Sequence, residues 1–527
     1  MTLPLPPTLP AAAAMAAARH PDAPALIENG RTWTFADLYR QVRVAAAAFL
    51  AHGLRKGDVV AIWAPNQSEW IVAALGAQSV GAVITPLNTR LKGREAADIL
   101  RRSRTRMLFT VGRFLGTDYP ALLAGEELPD LARTVLFDDP GTGGWTSFLA
   151  EGAGPDDPQI DRRMAAVGPD DPSDLLFTSG TTGAPKGVIS CHGQVIRLFQ
   201  VWGDTVDLRA GDRYLIVNPF FHTFGYKAGW LACLLAGATI LPLRAFDTAD
   251  VLRRIEEDGV TFLPGPPTIY QSLLAERKGV PLGRSSLRVA VTGAATVPPI
   301  LVERMRSELG FETVLTGYGM TECGVIAMCR VGDSVERIAN TCGKALDGLE
   351  LKCVDDQGHG VAAGEAGEIL VRGFGVMRGY LDNPAATAEA IDEEGWLHTG
   401  DVGVLDEDGY LRITDRKKDM YITGGFNCYP AEIEKLLCEH PKVEMAAVIG
   451  VPDERMGEVG KAFLVLRPGQ NADTEEIIAW ARGTMANYKV PRVIEFLDSL
   501  PKNAAGKVLR VALKTRQAHL QKAVEAP

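Results

Sequence analysis

A run of glycine, serine and threonine residues is the most chemically suggestive feature of the sequence. The apolar segment LLFT leads into SGTTGAPKGV, so a predicted strand ends in a small-residue loop that closes with Lys186. Backbone N–H groups, hydroxyls and an ammonium group in such a loop can hold a polyphosphate. The loop lacks the pattern G-x-x-x-x-G-K-[ST] and is therefore not a Walker A loop. A plain surface turn is the alternative, and the alternation of glycine with hydroxyl residues after a strand argues against it.

A second motif, GYGMTE, occupies Gly317–Glu322 and follows a predicted strand at Glu312–Leu315. Ligands of α/β sheets sit at the carboxyl ends of the strands. The ring of Tyr318 could stack on adenine, and the Thr321 hydroxyl could donate to a phosphate oxygen. The Glu322 carboxylate offers the hard oxygen that Mg²⁺ prefers. Taken alone, the motif leaves open that Tyr318 is a core aromatic and Glu322 a solvated surface acid.

Three charged residues further along the chain are candidates for nucleotide contacts. Asp401 ends the segment HTGD, where a carboxylate suits paired hydrogen bonds to ribose hydroxyls. Arg416 in TDRKK could make a second ribose or phosphate contact, although such basic clusters are usually solvated turns. Lys507 in NAAGKVLR follows a glycine and could reach a carboxylate and an α-phosphate together. Its charge would offset the negative charge that accumulates in phosphoryl-type transfer.

Five motifs in this order resemble those of the adenylate-forming superfamily, which comprises acyl-CoA synthetases, luciferases and peptide-synthetase adenylation domains. The motifs are LLFTSGTTGAPKGV, GYGMTE, GWLHTGDVG, ITDRKKDMYITGG and PKNAAGKVLR. The resemblance covers essentially the whole chain. It implies an acid–thiol ligase that uses ATP and CoA as co-substrates and Mg²⁺ as cofactor. The acid's carboxylate would attack the α-phosphorus of ATP to give acyl-AMP and pyrophosphate, and the CoA thiol would then displace AMP.

The resemblance also assigns roles to individual residues. The residues implied to contact ATP are Thr178, Ser179, Gly180, Thr181, Thr182, Gly183, Lys186, Gly293, Ala294, Tyr318, Gly319, Thr321, Asp401 and Arg416. The residues implied to be catalytic are Lys507, Glu322 and His222, with Thr182 and Glu322 on the metal. The implied acyl pocket contains His222, Tyr226, Ala295 and Gly317, the CoA path contains Gly424, Gly425 and Phe426, and the interdomain hinge is Lys418. A tight turn at Gly293 and a satisfied core histidine at His222 remain the structural alternatives.

The acid is less clearly indicated than the reaction. Three segments, NPFFHTFGYKAGWLACLLAGATI, LPGPPTIYQSLL and VTGAATVP, are similar to actinobacterial synthetases that activate the propanoate-bearing hexahydroindanedione left after steroid ring cleavage. The span Pro219–Trp230 borders the expected pocket. Small residues at Ala295, Gly317 and Gly319 would leave room for a bulky ring. A medium- or long-chain fatty acyl pocket would tolerate them equally. Ile422 stands where luciferase- and coumarate-ligase-like members carry lysine, which argues against a luciferase.

The alternation of β-rich and helical runs predicts an α/β protein. We expect a large N-terminal domain, residues 1–417, of layered and largely parallel sheets, and a small mobile α+β C-terminal domain, residues 418–527. In the first domain, strands are predicted at Arg213–Phe220 and Val260–Gly265, with a helix capped by Asp247 between them. In the second, strands are predicted at Met445–Gly450, Ala462–Leu466 and Val493–Leu497, with helices at AEIEKLLCEH and near Glu475–Asn487.

Bulk composition excludes several classes of protein. The net charge of −10 argues against a general nucleic-acid binder, which would need a basic surface. The alanine-rich run Ala11–Ala18 reads as a first helix and not a signal peptide. The longest apolar stretch, Ala228–Leu243, is flanked by Lys227 and Arg244 and is shorter than the ~20 residues of a membrane span. The eight cysteines form no C-x-x-C pair, which favours a reduced, cytoplasmic protein. The resemblance is also compatible with a homodimer.

Two further functions stay open at this point. An adenylating enzyme could load a carrier protein instead of CoA, although GGFN resembles CoA-using members. A catalytically inactive nucleotide-binding protein is the other alternative, and the presence of Lys186, Glu322, Asp401 and Lys507 argues against it.

Overall fold

The computed structural model describes residues 5–178, 185–277, 285–293, 297, 299–355, 357–416, 421–428, 430–501, 508, 510 and 512–517. The chain forms two compact units. The first contains Met1–Thr89, Ala96–Phe177 and Gly187–Asp415, and the second contains Arg90–Glu95, Thr178–Lys186 and Arg416–Pro527. The predicted hinge at Lys418 lies outside the described residues, so the boundary at residues 417 and 418 remains a prediction.

The helices are distributed along both units. They are α1 (Leu9–Arg19), α2 (Phe35–Ala51), α3 (Ser68–Ser79), α4 (Gly93–Arg102), α5 (Tyr119–Leu122), α6 (Trp145–Ala150), α7 (Pro158–Ala165), α8 (His192–Thr205), α9 (Thr223–Gly225), α10 (Ala232–Ala236), α11 (Thr248–Glu257), α12 (Pro267–Arg277), α13 (Pro299–Ser307), α14 (Val335–Asn340), α15 (Pro384–Ala390), α16 (Pro430–Cys438) and α17 (Thr474–Thr484). The segment Tyr226–Leu231 connects α9 to α10 and is kinked at Gly229, whose φ of −93° and ψ of −108° are not helical.

The strands are mostly short and form several separate sheets. They are β1 (Pro24–Glu28), β2 (Arg31–Thr34), β3 (Val59–Trp63), β4 (Val83–Pro86), β5 (Thr105–Thr110), β6 (Arg113–Phe114), β7 (Thr117–Asp118), β8 (Arg133–Leu136), β9 (Pro172–Thr178), β10 (Lys186–Cys191), β11 (Arg213–Ile216), β12 (Thr239–Pro242), β13 (Val289–Gly293), β14 (Thr313–Met320), β15 (Gly324–Met328), β16 (Lys344–Ala345), β17 (Leu349–Val354), β18 (Ala366–Gly373), β19 (Gly379–Tyr380), β20 (Leu397–Leu405), β21 (Leu411–Arg416), β22 (Tyr421–Thr423), β23 (Phe426–Cys428), β24 (Val443–Asp453), β25 (Gly457–Leu466) and β26 (Val493–Phe496).

A seven-stranded sheet holds the strands on either side of the predicted phosphate loop. Its order is β19-β10-β9-β4-β3-β5-β8. The pairs from β9 to β8 are parallel, whereas β19 runs antiparallel to β10. The central strand β3 is buried at every position, as expected for a parallel strand covered on both faces. The sheet therefore presents β9 and β10 side by side near one edge.

The first unit contains three more four-stranded sheets. Parallel pairs dominate β11-β12-β1-β2, and β13-β14-β15-β16 combines a parallel pair with antiparallel neighbours. The sheet β17-β18-β20-β21 pairs antiparallel where its register is defined. The α/β class is thus confirmed, with an antiparallel sheet added to the layers that the sequence predicts.

Local signals in the sequence predict helix starts better than strand ends. Asp247 caps α11 by accepting a hydrogen bond from the Asp250 N–H, as expected. The strand predicted at Arg213–Phe220 ends at Ile216, because Asn66 takes over the next backbone groups, donating to the Asn218 carbonyl and accepting from the Phe220 N–H.

The prediction of a strand at Val260–Gly265 is wrong. Only Phe262 forms bridges, to Tyr214 on one side and to Val289 on the other. Pro264 lacks an N–H group and cannot extend a ladder through the middle of a sheet. The segment nevertheless lies between β11 and β13 and joins their sheets.

The apolar run Ala228–Leu243 forms a buried helical segment that leads into β12, as predicted. Of the two charged residues that flank it, Lys227 is buried within the segment Tyr226–Leu231, whereas Arg244 is exposed. Within the described residues, no helix combines the length and apolar character that crossing a bilayer requires.

The second unit is a small α+β body, as the sequence predicts. The sheet β23-β22-β25-β24, with β26 added beside β25, packs against α16 and α17. Its core contains Tyr421, Val448, Leu464, Ile477 and Ala481, all almost fully buried. The hairpin β24–β25 is longer than the strands expected at 445–450 and 462–466, because the pairing continues to Asp453 and Gly457.

Candidate functional site

Tyr318 and Asp401 meet between two sheets of the first unit. The Tyr318 hydroxyl donates a 2.7 Å hydrogen bond to Oδ2 of Asp401. Burial and the nearby carboxylate raise the pKa of Tyr318 well above its usual value, so the hydroxyl remains a donor. The two residues that sequence reasoning assigned to adenine and ribose therefore form one contact pair.

The first four residues of the GYGMTE motif lie on a strand and not after one, which corrects the prediction for Gly317–Met320, whereas Thr321 and Glu322 do follow the strand. β14 continues from Thr313 to Met320, so Tyr318 is itself a strand residue. The register with β15 shifts between Tyr318 and Gly319, which marks a bulge. Bulges locally increase the twist and re-aim side chains. We infer that this irregularity directs the end of the motif away from the regular sheet.

Glu322 is held by a residue that the sequence did not single out. The Tyr380 hydroxyl donates a 2.9 Å hydrogen bond to Oε1 of Glu322, and the Met377 N–H donates to the Glu322 carbonyl at 2.7 Å. Tyr380 belongs to β19, whose pairing partner is Val188 in β10. The strand that leaves the predicted phosphate loop thus lies beside the tyrosine that fixes Glu322. The only sequence signal was a Gly-Tyr pair following a loop.

The loop between β9 and β10 is described only at its ends. Thr178 Oγ1 donates to the Lys186 carbonyl at 3.4 Å, and this hydrogen bond connects the two ends of the loop. The predicted ATP ligands inside the loop, Ser179, Gly180, Thr181, Thr182 and Gly183, lie outside the described residues. Their roles remain predictions, as does that of Thr182 on the metal.

The described side chains around Glu322 fit a metal ion that binds together with substrate phosphates. Among the described residues, no group of three or more His, Cys, Asp and Glu side chains could hold a metal ion. Mg²⁺ in nucleotide enzymes is commonly held by one or two carboxylates together with substrate phosphates. A single carboxylate oriented by a tyrosine hydroxyl is compatible with Mg²⁺ that arrives with ATP.

Several glycines of the predicted site are required by close strand contacts. A Cβ on Gly317 would overlap the Met328 sulfur, and a Cβ on Gly319 would overlap the Gly324 carbonyl. A Cβ on Gly293 would lie 2.8 Å from the Gly317 carbonyl oxygen. Packing alone accounts for these residues, so Gly317 need not be small in order to admit a ring. Ala294 and Ala295 lie outside the described residues.

His222 and Tyr226 occupy different environments although both were assigned to the acyl pocket. His222 caps α9 through Nδ1, which accepts from the Phe224 N–H at 3.2 Å, and its side chain is accessible. Desolvation by the surrounding protein atoms lowers its pKa. Tyr226 is fully buried, stacks on Trp230, and accepts a hydrogen bond from Gln78. It presents no surface to a ligand in this conformation.

The segment predicted to guide CoA is a tight hairpin in the second unit. Thr423 pairs with Phe426, so Gly424 and Gly425 form a two-residue turn, with φ angles of 56° and 85°. Positive φ at both turn positions matches the type I′ turn and favours glycine. Arg416 ends β21, and its side chain lies outside what the structure describes, as do Lys418 and Lys507. Their roles remain predictions.

Two family models and two known ligases match most of the chain. A sequence model described as "AMP-binding enzyme" matches residues 13–381, and one described as "AMP-binding enzyme C-terminal domain" matches residues 432–507. The chain is 48% identical to the 3-[(3aS,4S,7aS)-7a-methyl-1,5-dioxo-octahydro-1H-inden-4-yl]propanoyl:CoA ligase of Rhodococcus jostii, with 97% of this chain and 98% of that protein covered. It is 51% identical to the ligase of the same name from Mycobacterium tuberculosis, with 96% and 98% covered.

A solved structure has a similar fold over nearly the full length of the chain. A double mutant of o-succinylbenzoate CoA synthetase (MenE) from Bacillus subtilis, bound with its product analogue OSB-NCoA, superimposes with a TM-score of 0.81. The sequences are 31% identical, and the match covers 97% of this chain and 98% of that one.

Proposed function

We propose an acid substrate for this chain, which belongs to the AMP-binding enzyme family and is an acyl-CoA ligase that works through an acyl-adenylate. The proposed acid is the propanoate carried by a 7a-methyl-1,5-dioxo-octahydroindene ring system. The observation that carries this proposal is the 48% and 51% identity, over nearly the full length of both proteins, to two ligases with that acyl group in their names.

In the first half-reaction an oxygen of the acid's carboxylate attacks the α-phosphorus of ATP, and the bond to pyrophosphate breaks. Stacking of adenine on Tyr318 and hydrogen bonds from the ribose hydroxyls to Asp401 would place the nucleotide. Lys507 would approach the carboxylate and the α-phosphate, where its charge offsets the charge that builds up. Mg²⁺ held by Glu322 and Thr182 would supply neutralisation of the triphosphate.

In the second half-reaction the CoA thiol attacks the acyl carbonyl, and AMP leaves. The hairpin turn at Gly424 and Gly425, with Phe426 beside it, would line the approach of the thiol. A hinge at Lys418 would let the second unit serve the two half-reactions in turn. Nothing in this scheme requires a carrier protein.

The surface beside His222 is the proposed acyl site. His222 is exposed, and desolvation by the surrounding protein atoms lowers the pKa of its imidazole, which favours the neutral form at pH 7. A neutral ring beside an apolar segment suits a bulky, uncharged ring system better than a second charge would. The free state of all eight cysteines supports a reducing location such as the cytoplasm.

The test is a panel of acids assayed for CoA-dependent AMP formation. It contains the indanedione propanoate, fatty acids of six to sixteen carbons and an aryl propenoate, at equal concentrations and with wild-type enzyme. We expect kcat/KM for the indanedione propanoate to exceed that of every other acid at least about tenfold, the selectivity that a few well-placed contacts provide.

A flat profile or a preference for a fatty acid would refute the proposed substrate while leaving the ligase activity intact. A parallel reaction with a phosphopantetheinyl carrier in place of CoA would identify a carrier-loading enzyme. Absence of acid-dependent pyrophosphate release with every acid would refute the ligase activity itself.

A further inference from the structure

A buried ion pair lies directly behind the strands that carry the phosphate loop. Lys227 Nζ is 2.8 Å from Asp174 Oδ1, and the two side chains are 4% and 0% exposed. Lys227 also donates a 2.8 Å hydrogen bond to Ser190 Oγ. Asp174 is four residues before Thr178, where the loop begins, and Ser190 is four residues after Lys186, where it ends. One ammonium group therefore bridges both strands.

Further hydrogen bonds connect the pair to neighbouring elements. The Ser173 hydroxyl donates to Asp174 Oδ2 at 2.8 Å, while Asp174 Oδ1 faces the Lys227 ammonium group. Gln78 Nε2 donates to the Ser173 carbonyl and to the Tyr226 hydroxyl, each at 3.0 Å. The network thus extends from β9 and β10 to α3 and to the segment Tyr226–Leu231 that carries Lys227.

The segment Tyr226–Leu231 that carries Lys227 is packed into the core by aromatic rings. It is kinked at Gly229, where φ is −93° and ψ is −108°. Tyr226 and Trp230 of this segment stack at 4.9 Å, and Trp70 packs edge-on against both rings. A fully buried aromatic cluster therefore supports the backbone from which Lys227 reaches the two strands.

Stability alone does not account for a buried pair of this kind. Well-packed apolar residues in place of a buried ion pair are often as stabilising, because desolvation of the charges offsets their attraction. A charge that contacts two strands at one point does fix their relative position. We propose that Lys227 is a positioning residue for adenylation, which holds the two ends of the phosphate loop at the spacing that the triphosphate of ATP requires.

This inference rests on the proposed role of the loop in binding ATP. Lys227 itself would touch neither ATP nor the acid, since it is buried behind the sheet. The loop's phosphate contacts are needed only while pyrophosphate is still attached. A positioning role therefore predicts a defect in the first half-reaction and not in the second.

The first experiment compares the half-reactions in Lys227→Met. Acid-dependent pyrophosphate release is measured against ATP and against acid, and thioester formation is measured from pre-made acyl-AMP and CoA. We expect KM for ATP to rise about tenfold, within the usual range for coupled sites. Thioester formation should stay within about twofold of wild type. Equal losses in both half-reactions would overturn the proposal.

A double variant separates placement from stability. Lys227→Met combined with Asp174→Asn leaves no unpaired buried charge, so thermal stability should recover relative to Lys227→Met. The raised KM for ATP should persist, because the bridge between the strands is still missing. Return of KM for ATP to the wild-type value along with stability would show a purely structural pair and overturn the proposal.

A matched control and a milder variant complete the design. Arg288 pairs with Asp212 in another buried ion pair of the same unit, at the opposite end of β13 from Gly293. Arg288→Met should lower stability and leave the ratio of the two half-reactions unchanged.

Ser190→Ala keeps the ion pair between Lys227 and Asp174 but removes the hydrogen bond to β10. It therefore tests the proposal even if Lys227→Met fails to fold. A wild-type KM for ATP in Ser190→Ala would overturn the proposal. Wild-type enzyme without acid-dependent pyrophosphate release would instead refute the proposed function.

Discussion

The hydroxyl of Tyr380 donates a 2.9 Å hydrogen bond to Oε1 of Glu322 across 58 residues of sequence. Tyr380 pairs with Val188 through β19 and β10, so the same tyrosine is tied to the strand that leaves the phosphate loop. A carboxylate that binds a phosphate-bound cation must point in a fixed direction. The hydrogen bond from Tyr380 fixes the direction of the Glu322 carboxylate. This contact links two motifs that the sequence shows only as separate segments.

Replacing Tyr380 with Phe should weaken Mg²⁺-dependent adenylation without unfolding the protein. Hydrogen bonds to charged groups contribute about 1.5–3 kcal/mol, which corresponds to about tenfold or more in affinity. We therefore expect the Mg²⁺ concentration at half-maximal pyrophosphate release to rise about tenfold.

The matched control for Tyr380→Phe is Tyr410→Phe. The Tyr410 hydroxyl donates to Oδ1 of Asp333 at 2.6 Å, which is the same kind of pair elsewhere in the first unit. Its loss should leave the Mg²⁺ dependence unchanged. Identical Mg²⁺ titrations for Tyr380→Phe and wild type would remove Tyr380 from the metal site.

The Lys507→Ala variant should lose adenylation and keep thioester formation from pre-made acyl-AMP. The reason is that the charge is needed only while the α-phosphate is attacked. Quenched-flow measurement of each half-reaction checks this, with Lys514→Ala as the control for loss of an exposed lysine nearby in sequence. If both half-reactions fell together, Lys507 would not be the residue that distinguishes them.

The CoA path can be tested at Gly425 without straining the hairpin. Its φ of 85° would penalise Gly425→Leu whatever the role of the residue, because leucine avoids the left-handed region. Asparagine tolerates that region, so Gly425→Asn adds bulk at little conformational cost. We expect Gly425→Asn to slow thioester formation at least about fivefold while adenylation and melting temperature stay near wild type, since ~1 kcal/mol corresponds to this factor. A slower adenylation with normal thioester formation would contradict the assignment.

Sequence motifs singled out two residues that the fold brings together. Tyr318 and Asp401 were assigned to one nucleotide, and the Tyr318 hydroxyl lies 2.7 Å from Asp401 Oδ2, although both residues lie within strands, β14 and β20. Their roles in nucleotide binding stay predictions. Motif reasoning could not place the motif on β14 itself, because the bulge beside Tyr318 depends on pairing with β15.

The roles of Tyr380 and Lys227 could not be predicted, because they depend on contacts in the folded chain and not on a pattern in the sequence. Tyr380 looks like an ordinary tyrosine until β19 is paired with β10. Lys227 was noted in the sequence only as a charged residue that flanks an apolar stretch. Its burial depends on Asp174 and Ser190, which come from strands elsewhere in the sequence.

Acid should destabilise the first unit through His192. This residue is fully buried, its Nδ1 accepts a hydrogen bond from the Leu9 N–H, and burial lowers its pKa to about 4. The unfolded state, with a pKa near ~6.5, binds more protons between these two values. Stability should therefore be intact above about pH 6.5 and fall progressively toward about pH 4, by up to about 3 kcal/mol.

Urea unfolding of the whole chain between pH 7 and pH 4.5 measures this loss. In His192→Asn the side-chain oxygen can still accept from the Leu9 N–H but does not titrate. The pH slope of the unfolding free energy should become shallower in that variant. An unchanged slope would assign the acid sensitivity to other groups.

Gly317 distinguishes between a packing role and an acyl-pocket role. A Cβ at this position would overlap the Met328 sulfur and lie 3.0 Å from the Ala327 carbonyl oxygen. Overpacking of this kind costs about 1–3 kcal/mol, so Gly317→Ala should lower the unfolding free energy by that amount. In a Met328→Ala background the overlapping side chain is gone. There, Gly317→Ala should lower the unfolding free energy by less than it does in the wild-type protein. If Gly317 were instead small to admit the acid, Gly317→Ala would leave stability unchanged and shift kcat/KM toward smaller acids, and Met328→Ala would not restore the selectivity.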